Sequence, residues 1–550
     1  MKRYFLLGFI CGFLLLSACG AERGEVSRAP VDIPQFSVPT FYLDALPDLP
    51  PYAGPAVEIY ARYGPRAYVD TLQPAADYGQ LYPYIGKVLN DNFNFDSDKR
   101  YGLVDSLGRI VVDAVYSQVT YTDNGPKPGV EYLVLGYPLD KNDTQAQEIA
   151  QATDFFSLLR RFQFAQADGA WVSPPYYGND ARLSADRVIV SLYSDNPEEM
   201  WSGRGSKYQI YDLEGNLLFE GAGHLNDFCD GLGRVERVDN DHGEYSSNFF
   251  YVDKNGQTVI PGPFSSAMNF KDGKAIVTME KGALFAEIDT EGNYLLAPKS
   301  IGDQVFLYDN TYLPFWDNNL QGMIDRSGNI VLPAAYDYIS YLYEGEDNYL
   351  LAARKEDQSF DIVDLRSGLI EPADETFTYI SVQRDDWLIA QAEERLNDSY
   401  TPPDLYLLKG TVRRSFLAAE HGRLDARYVA DDLFALNYDN DTAVSGCRVD
   451  FFNAVSGEIV KTWLGFNYFR YDQTPQGRVY YMLNGYTQKQ VALSEDFELL
   501  FSAESMAGAV DFREIRYLKD DLFIARTERF SGLIRRDGSW LIRVIAHYQD

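Results

Sequence analysis

Four histidines are all that this chain offers for imidazole chemistry: His224, His242, His421 and His547. Nucleophilic catalysis needs such a base beside a Ser, Thr or Cys, so that the attacking group loses its proton. No Gly-x-Ser-x-Gly elbow occurs. His224 lies in a connecting stretch and His547 near the end of the sequence, as surface or structurally satisfied histidines do. No His-Glu-x-x-His pair, P-loop or dinucleotide fingerprint is present. Carboxylates are abundant, at 81 Asp and Glu, so a glycosidase-like pair cannot be singled out by spacing. Two stretches place oxygen donors at alternate positions, as a calcium loop does at its start: "NDNFNFDSD" from Asn90 and "DNDHGE" from Asp239. Neither continues with Gly at the sixth position and Glu at the twelfth, so both read as solvated turns. The expectation is no catalytic, metal-binding or cofactor-binding residue.

Cysteine chemistry is concentrated at one position. "MKRYFLLGFICGFLLLSAC" opens with Lys2 and Arg3, continues with an apolar run from Phe5 to Leu16, and ends on small residues before Cys19. The run is short for a transmembrane helix and has the layout of a secretory signal. "LSAC" resembles a bacterial lipobox. The resemblance implies thioether lipidation of Cys19, removal of residues 1–18, further acylation such as palmitate, and a site facing outside the cytoplasm. Cys229 and Cys447 would remain, either as a disulfide or, more simply, as two buried free thiols.

Residues 19–55 carry Pro30, Pro34, Pro39, Pro47, Pro50, Pro51 and Pro55, and read as a semi-extended tether. The chain as a whole carries a formal net charge of −32. Such a chain repels phosphate backbones, which excludes nucleic acid as a favoured partner. Apolar residues make up 46% and aromatics 15%, nearly all Tyr and Phe, a composition suited to strands and to a large core.

What must position any site is a repeated hairpin. An apolar strand leads into Asp-x-x-Gly and a second apolar strand follows. The pairs are Asp105 and Gly108, Asp212 and Gly215, Asp253 and Gly256, Asp289 and Gly292, Asp325 and Gly328. The Asp side chain accepts from nearby backbone N–H groups, and Gly supplies the left-handed residue that closes the turn. Weaker copies fall at Gly169, Gly368, Gly410, Gly457, Phe497 and Gly538. After a first gap of 61 residues, these eleven turns recur every 36 to 47 residues. Each hairpin is followed by an apolar residue, often Pro, then an aromatic, then an aromatic-acid-Gly such as "FKDG" ending at Gly273, and a further strand. One such unit cannot bury its own apolar face, so units must stack or ring up. In "GMIDRSGNIVLPAAYD", Ile324, Ile330 and Leu332 are expected in the core. The long first gap contains "DTQAQEIAQATDFFSLLRRF", where Ile149, Ala152, Phe155, Phe156, Leu159 and Phe162 have helical spacing. An inserted helix is expected over 143–163, packed on the strands.

These units resemble the bacterial WG-repeat family, whose pattern runs Trp-Gly, two aliphatics, Asp-x-x-Gly, x, two aliphatics and Pro. Tyr101-Gly102-Leu103-Val104-Asp105 has Tyr in the Trp place; Gln321-Gly322 and Ser531-Gly532 keep only the Gly. The resemblance implies a repeat architecture and no shared catalytic residue. The fold expected over 56–550 is all-β: repeats of about 40 residues forming a β-propeller-like or solenoid array. Eleven units exceed the four to eight blades of most propellers, which points to two rings or one irregular array. The last turn lies close to the end of the sequence, so strand-like pieces within 56–100 are expected to complete the last unit. The function expected is a membrane-anchored surface lipoprotein of the bacterial cell envelope. Its repeats would form a non-catalytic binding or scaffold module for a protein or glycan. The alternative is a cell-envelope glycan hydrolase with paired carboxylates.

Overall fold

A computed structural model describes residues 72, 74, 78–88, 99–138, 147, 159–193, 205–241, 244–341, 349–374, 376–392, 403–417, 423–439, 447–485, 489–501, 512–527 and 530–545. The signal segment, Cys19 and the tether lie outside the described residues. The described chain forms eleven antiparallel sheets, each built from consecutive strands. We number them as blades 1 to 11 in chain order. Blade 6 shows the plan: Gln304–Val305, Tyr312–Asp317, Leu320–Asp325 and Ile330–Tyr336, each paired with the next. The first strand of each blade is called inner and the fourth outer.

The blades form one closed ring, an eleven-bladed β-propeller. Each pair of neighbours shares a core. Tyr251, Ile260 and Phe264 of blade 4 pack with Val277 and Ile288 of blade 5. Val449 and Phe451 of blade 9 pack with Tyr480 and Met482 of blade 10. The circuit closes where Leu522, Ile524, Leu533 and Ile542 of blade 11 join Tyr84, Ile85 and Leu103 of blade 1, in a core that continues into Leu133 and Leu135 of blade 2. Two rings or an irregular array are therefore not formed. Large Tyr and Phe side chains fill the wedge between blades; Tyr84, Tyr132, Tyr208, Tyr251 and Phe164 are among the largest fully buried residues.

The last unit is completed from within 56–100, as expected: Tyr82–Val88, the second-strand position of the blade that follows blade 11, packs against the last hairpin. Blade 11 has four strands of its own, Glu514–Lys519, Leu522–Arg526, Phe530–Arg535 and Trp540–Ile545. Blade 1 has three, Tyr82–Val88, Lys99–Val104 and Ile110–Tyr116. The cause is phase. The sequence repeat begins at the third strand of one blade and ends at the second strand of the next. Its last hairpin therefore finishes blade 11, while blade 1 lacks an inner strand among the described residues.

The expected helix over 143–163 is corrected at its C-terminal end. Arg160–Gln166 is the third strand of blade 2, with Phe162 and Phe164 both buried. Phe162 belongs to that period-two alternation and not to a helical stripe. The rest of the segment falls outside the described residues, apart from Gln147 and Leu159.

The Gly of the Trp-Gly position has a packing cause. A register shift follows it in each blade, bringing the outer strand close. A Cβ on Gly102 would lie 2.6 Å from the Val112 carbonyl oxygen, one on Gly322 2.6 Å from that of Leu332, and one on Gly532 2.1 Å from that of Ile542. Where the aromatic is lost, Gln321 accepts the Ile339 N–H at 2.7 Å through its side-chain oxygen and so ties blade 6 to blade 7.

Candidate interaction surface

Antiparallel blades sort their connections between two faces. Turns from inner to second strand and from third to outer strand fall on one face. Connections from second to third strand, and links between blades, fall on the other. All five Asp-x-x-Gly sites are third-to-outer turns and share the first face. In each, the Asp carboxylate accepts two backbone N–H groups, two and four residues on. For Asp325 these are Ser327 at 2.9 Å and Asn329 at 2.8 Å. For Asp105 they are Leu107 and Arg109; for Asp212, Glu214 and Asn216; for Asp253, Asn255 and Gln257; for Asp289, Glu291 and Asn293. Gly108, Gly215, Gly256, Gly292 and Gly328 have φ from +71° to +89°. The Asn293 side-chain amide beside Asp289 helps to hold that carboxyl below its ordinary range.

The inner-to-second turns on the same face add a feature the repeat pattern did not announce. Asp230-Gly231 and Asp272-Gly273 both have positive φ at both residues, as a tight hairpin turn requires. Their carboxylates, and those of equivalent turns, reach the neighbouring blade. Asp186 of blade 3 pairs with Lys254 of blade 4 at 2.7 Å. Asp230 of blade 4 accepts the Gly273 N–H of blade 5 at 2.7 Å. Arg366 of blade 7 pairs with Asp386 of blade 8 at 2.9 Å. Lys409 of blade 8 pairs with Asp432 of blade 9 at 3.1 Å, and Arg478 of blade 10 with Asp431 of blade 9 at 2.8 Å. The aromatic-acid-Gly element was the available signal for the Asp230 tie alone. The acids named here thus hold turns and blades.

The remaining candidates are dispersed. His224 starts the inner strand of blade 4; burial and the Arg182 guanidinium push its pKa down, so it is neutral at pH 7. His242, His421 and His547 lie outside the described residues. Cys229 in blade 4 and Cys447 in blade 9 are both free, and burial pushes the Cys229 thiol up. Asn90–Asp98 lies outside the described residues. In "DNDHGE", Asp239 to Asp241 and Glu244 are paired strand residues, and His242 and Gly243 lie outside the described residues. Among the described residues no three or more His, Cys, Asp or Glu converge as a metal site.

Many of the exposed large apolar residues lie on the rim. Outer strands begin with consecutive apolar residues just below the Asp-x-x-Gly face. These are Leu217 and Leu218 in blade 3, Val259 in blade 4, Tyr294 and Leu295 in blade 5, Ile330 and Val331 in blade 6, and Leu369 and Ile370 in blade 7. Ile330 is 53% exposed and Leu295 50%, while Ile324 and Leu332 are buried. The expectation of a core position for Ile330 is corrected: it opens the outer strand opposite Ile324, with no further strand on its other edge, and both Ile330 and Val331 meet water near the turn. The free edges of blades 4 to 7 are interrupted against strand addition. Pro261, Pro298, Pro333 and Pro372 remove edge donors, and register shifts bend the strands.

Two stretches, 249–281 and 322–357, match the family model of the WG containing repeat. Each begins in the third strand of one blade and passes through the second strand of the next. No curated protein matches the chain. Among solved structures, Hsv2 of Kluyveromyces lactis with complete loop 6CD is similar at 11% identity over 50% of this chain and 94% of that one, with a TM-score of 0.26. Apo AztD from Citrobacter koseri is similar at 12% identity over 62% and 92%, with a TM-score of 0.25. Dihydro-heme d1 dehydrogenase NirN in complex with DHE is similar at 14% identity over 72% and 75%, also with a TM-score of 0.25.

Proposed function

From two stretches that match the WG containing repeat and from blades that close into one ring, we propose that the chain is a non-catalytic binding or scaffold module of the WG-repeat kind. It is held at the bacterial cell envelope by a lipid on Cys19, faces outside the cytoplasm, and engages a protein or glycan. The observation that carries the binding role is the division of labour on the ring. Turn carboxylates hold backbone N–H groups and neighbouring blades, while an apolar rim across five consecutive blades stays open. The signal-like segment, the small residues before Cys19 and the proline-rich stretch after it support the anchor.

Two measurements test this reading. Cells expressing the wild type or Cys19→Ala are fed an alkyne-bearing palmitate and fractionated. Label and membrane association are expected for the wild type alone; label that survives Cys19→Ala rules out the anchor. Purified ring is then incubated with cell-wall glycan. Release of soluble sugar would overturn the non-catalytic assignment, and its absence together with saturable binding to a glycan or an envelope protein supports it.

A further inference from the structure

Gln80, Leu81 and Tyr82 stand at the entrance to blade 1 and hold both of its neighbours. The Gln80 side-chain amide donates to the Glu131 carboxylate of blade 2 at 3.3 Å. The Leu81 N–H donates to the Ala167 carbonyl of blade 2 at 2.7 Å, and the Leu81 carbonyl accepts the Tyr121 hydroxyl of the same blade at 2.9 Å. Tyr82 turns the other way, and its hydroxyl donates to Asp520 of blade 11. Glu131 also pairs with Lys519 of blade 11, so one carboxylate meets the stretch before blade 1 and the blade on its far side. Further back the chain is fixed again: Leu72 is 2% exposed and lies in the core that blades 11, 1 and 2 share. We propose that the stretch from Leu72 to Leu81 is a latch that fastens blade 11 to blade 2 across blade 1, so that closure of the ring depends on chain outside any blade.

Position and chemistry carry this. Ala167, Glu131 and Asp520 all belong to turns on the Asp-x-x-Gly face. The Leu72 backbone lies against the Tyr116 hydroxyl, at the end of the outer strand of blade 1, which runs to the opposite face. The latch is thus pinned at both faces. A stretch of this length reaches at most about 30 Å, enough to span the height of a six-residue strand, about 20 Å. Leu81 is fully buried, and both of its backbone polar groups are paired with blade 2, as burial outside a strand requires. The need for a fastening is local. Every later pair of neighbouring blades is joined by the chain itself, whereas blades 11 and 1 have no such link among the described residues.

The test is hydrogen exchange on the full chain, read peptide by peptide. Leu72→Ala empties a buried site at the latch, and Leu313→Ala, buried in the core of blades 5 and 6, serves as reference. Leu72→Ala should speed exchange about tenfold in blades 11, 1 and 2 together and leave blades 5 to 8 at the wild-type rate. Leu313→Ala should speed blades 5 and 6 and spare blades 11, 1 and 2. A second readout is the thiol of Ser531→Cys, at a position buried where blade 11 meets blade 1. Adding Leu72→Ala to that variant should raise its alkylation rate about tenfold, while Cys229 and Cys447, in blades 4 and 9, keep theirs. Faster exchange confined to blade 1 overturns the proposal, since the stretch would then merely pack on its own blade. Faster exchange spread evenly over every blade overturns it as a general loss of stability. Should Leu72→Ala fail to fold, Gln80→Ala decides. It should speed exchange about threefold around both Glu131 and Lys519, and an effect at only one of them, or at neither, removes the latch.

Discussion

Gly328 and Gly368 separate two costs that usually arrive together. Both sit in third-to-outer turns with nearly equal backbone, at φ +71° and +70°. An added Cβ on Gly368 meets nothing within 4 Å; on Gly328 it meets Phe285 at 3.0 and 3.2 Å and Ile301 at 3.5 Å. Phe285 is fully buried in the core between blades 5 and 6, so its ring has no room to swing away. A left-handed Ala costs about 1 to 2 kcal/mol. Crowding a packed core adds about 1 to 3 kcal/mol. Gly368→Ala should therefore lose about 1 kcal/mol and Gly328→Ala about 3 kcal/mol, with Gly328→Val worse because a β-branched side chain tolerates that backbone least. Urea unfolding at constant slope reads both. Equal losses at the two sites would refute the crowding argument, and a neutral Gly368→Ala would refute the backbone argument. Binding by soluble Gly328→Ala should match wild type; a stable variant that loses binding would mean that the turn itself is a contact.

Lys99→Met should destabilise the ring by about 1 to 2 kcal/mol, since it removes the 2.6 Å partner of the largely buried Glu514 carboxylate but leaves Arg516 at 3.6 Å and Arg526 at 3.8 Å; an unchanged urea midpoint would remove that pair from the closure. Asn293→Ala should raise the Asp289 pKa towards the ordinary carboxylate value, read by NMR titration; an unmoved titration contradicts the hydrogen-bond cause. Because the folded-state pKa of Asp289 lies below its unfolded value, its contribution is present at neutral pH and is lost as pH falls below about 4 through the folded value; hydrogen exchange of that turn should speed up there and not near pH 6. Alkylation in denaturant without reductant should label both Cys229 and Cys447, and one protected pair would show a disulfide that the fold does not contain.

The hairpins were legible because their cause is local. Asp325 and Gly328 lie three residues apart, and the bonds they make close within four residues. The all-β class followed from the same repetition. The number of rings did not, because it depends on how far each blade rotates past its neighbour, which is set by side chains such as Tyr251 and Phe264 across an interface. The phase of the blade was hidden for a related reason. A sequence repeat marks where patterns recur, and strand pairing decides where a sheet ends. Ile330 and Leu332 show the limit most plainly. Both are aliphatic and lie in one strand, yet one is exposed and the other is buried. Apolar character alone cannot say which residue lies beyond the reach of the next blade. The blade-to-blade ties were unreadable as pairs, since Asp230 and Gly273 are 43 residues apart.

The offset between repeat and blade also accounts for how the ring is held. Each link from an outer strand to the next inner strand crosses one interface, so the chain itself joins blade 1 to 2 and every later pair up to 10 and 11. The interface between blades 11 and 1 has no such link among the described residues. Packing must close it, and packing alone is directionless. Polar contacts supply the register. Lys99 meets Glu514, the Tyr82 hydroxyl donates to Asp520 at 2.8 Å, and the Ser531 hydroxyl donates to the Ile85 carbonyl at 2.5 Å. Blade 11 also reaches blade 2: Lys519 pairs with Glu131 and lies over the Tyr121 ring. Ser531 precedes Gly532, the residue whose lack of a side chain admits the outer strand of blade 11. The same repeat position that builds an ordinary blade elsewhere therefore also fixes the register of closure here.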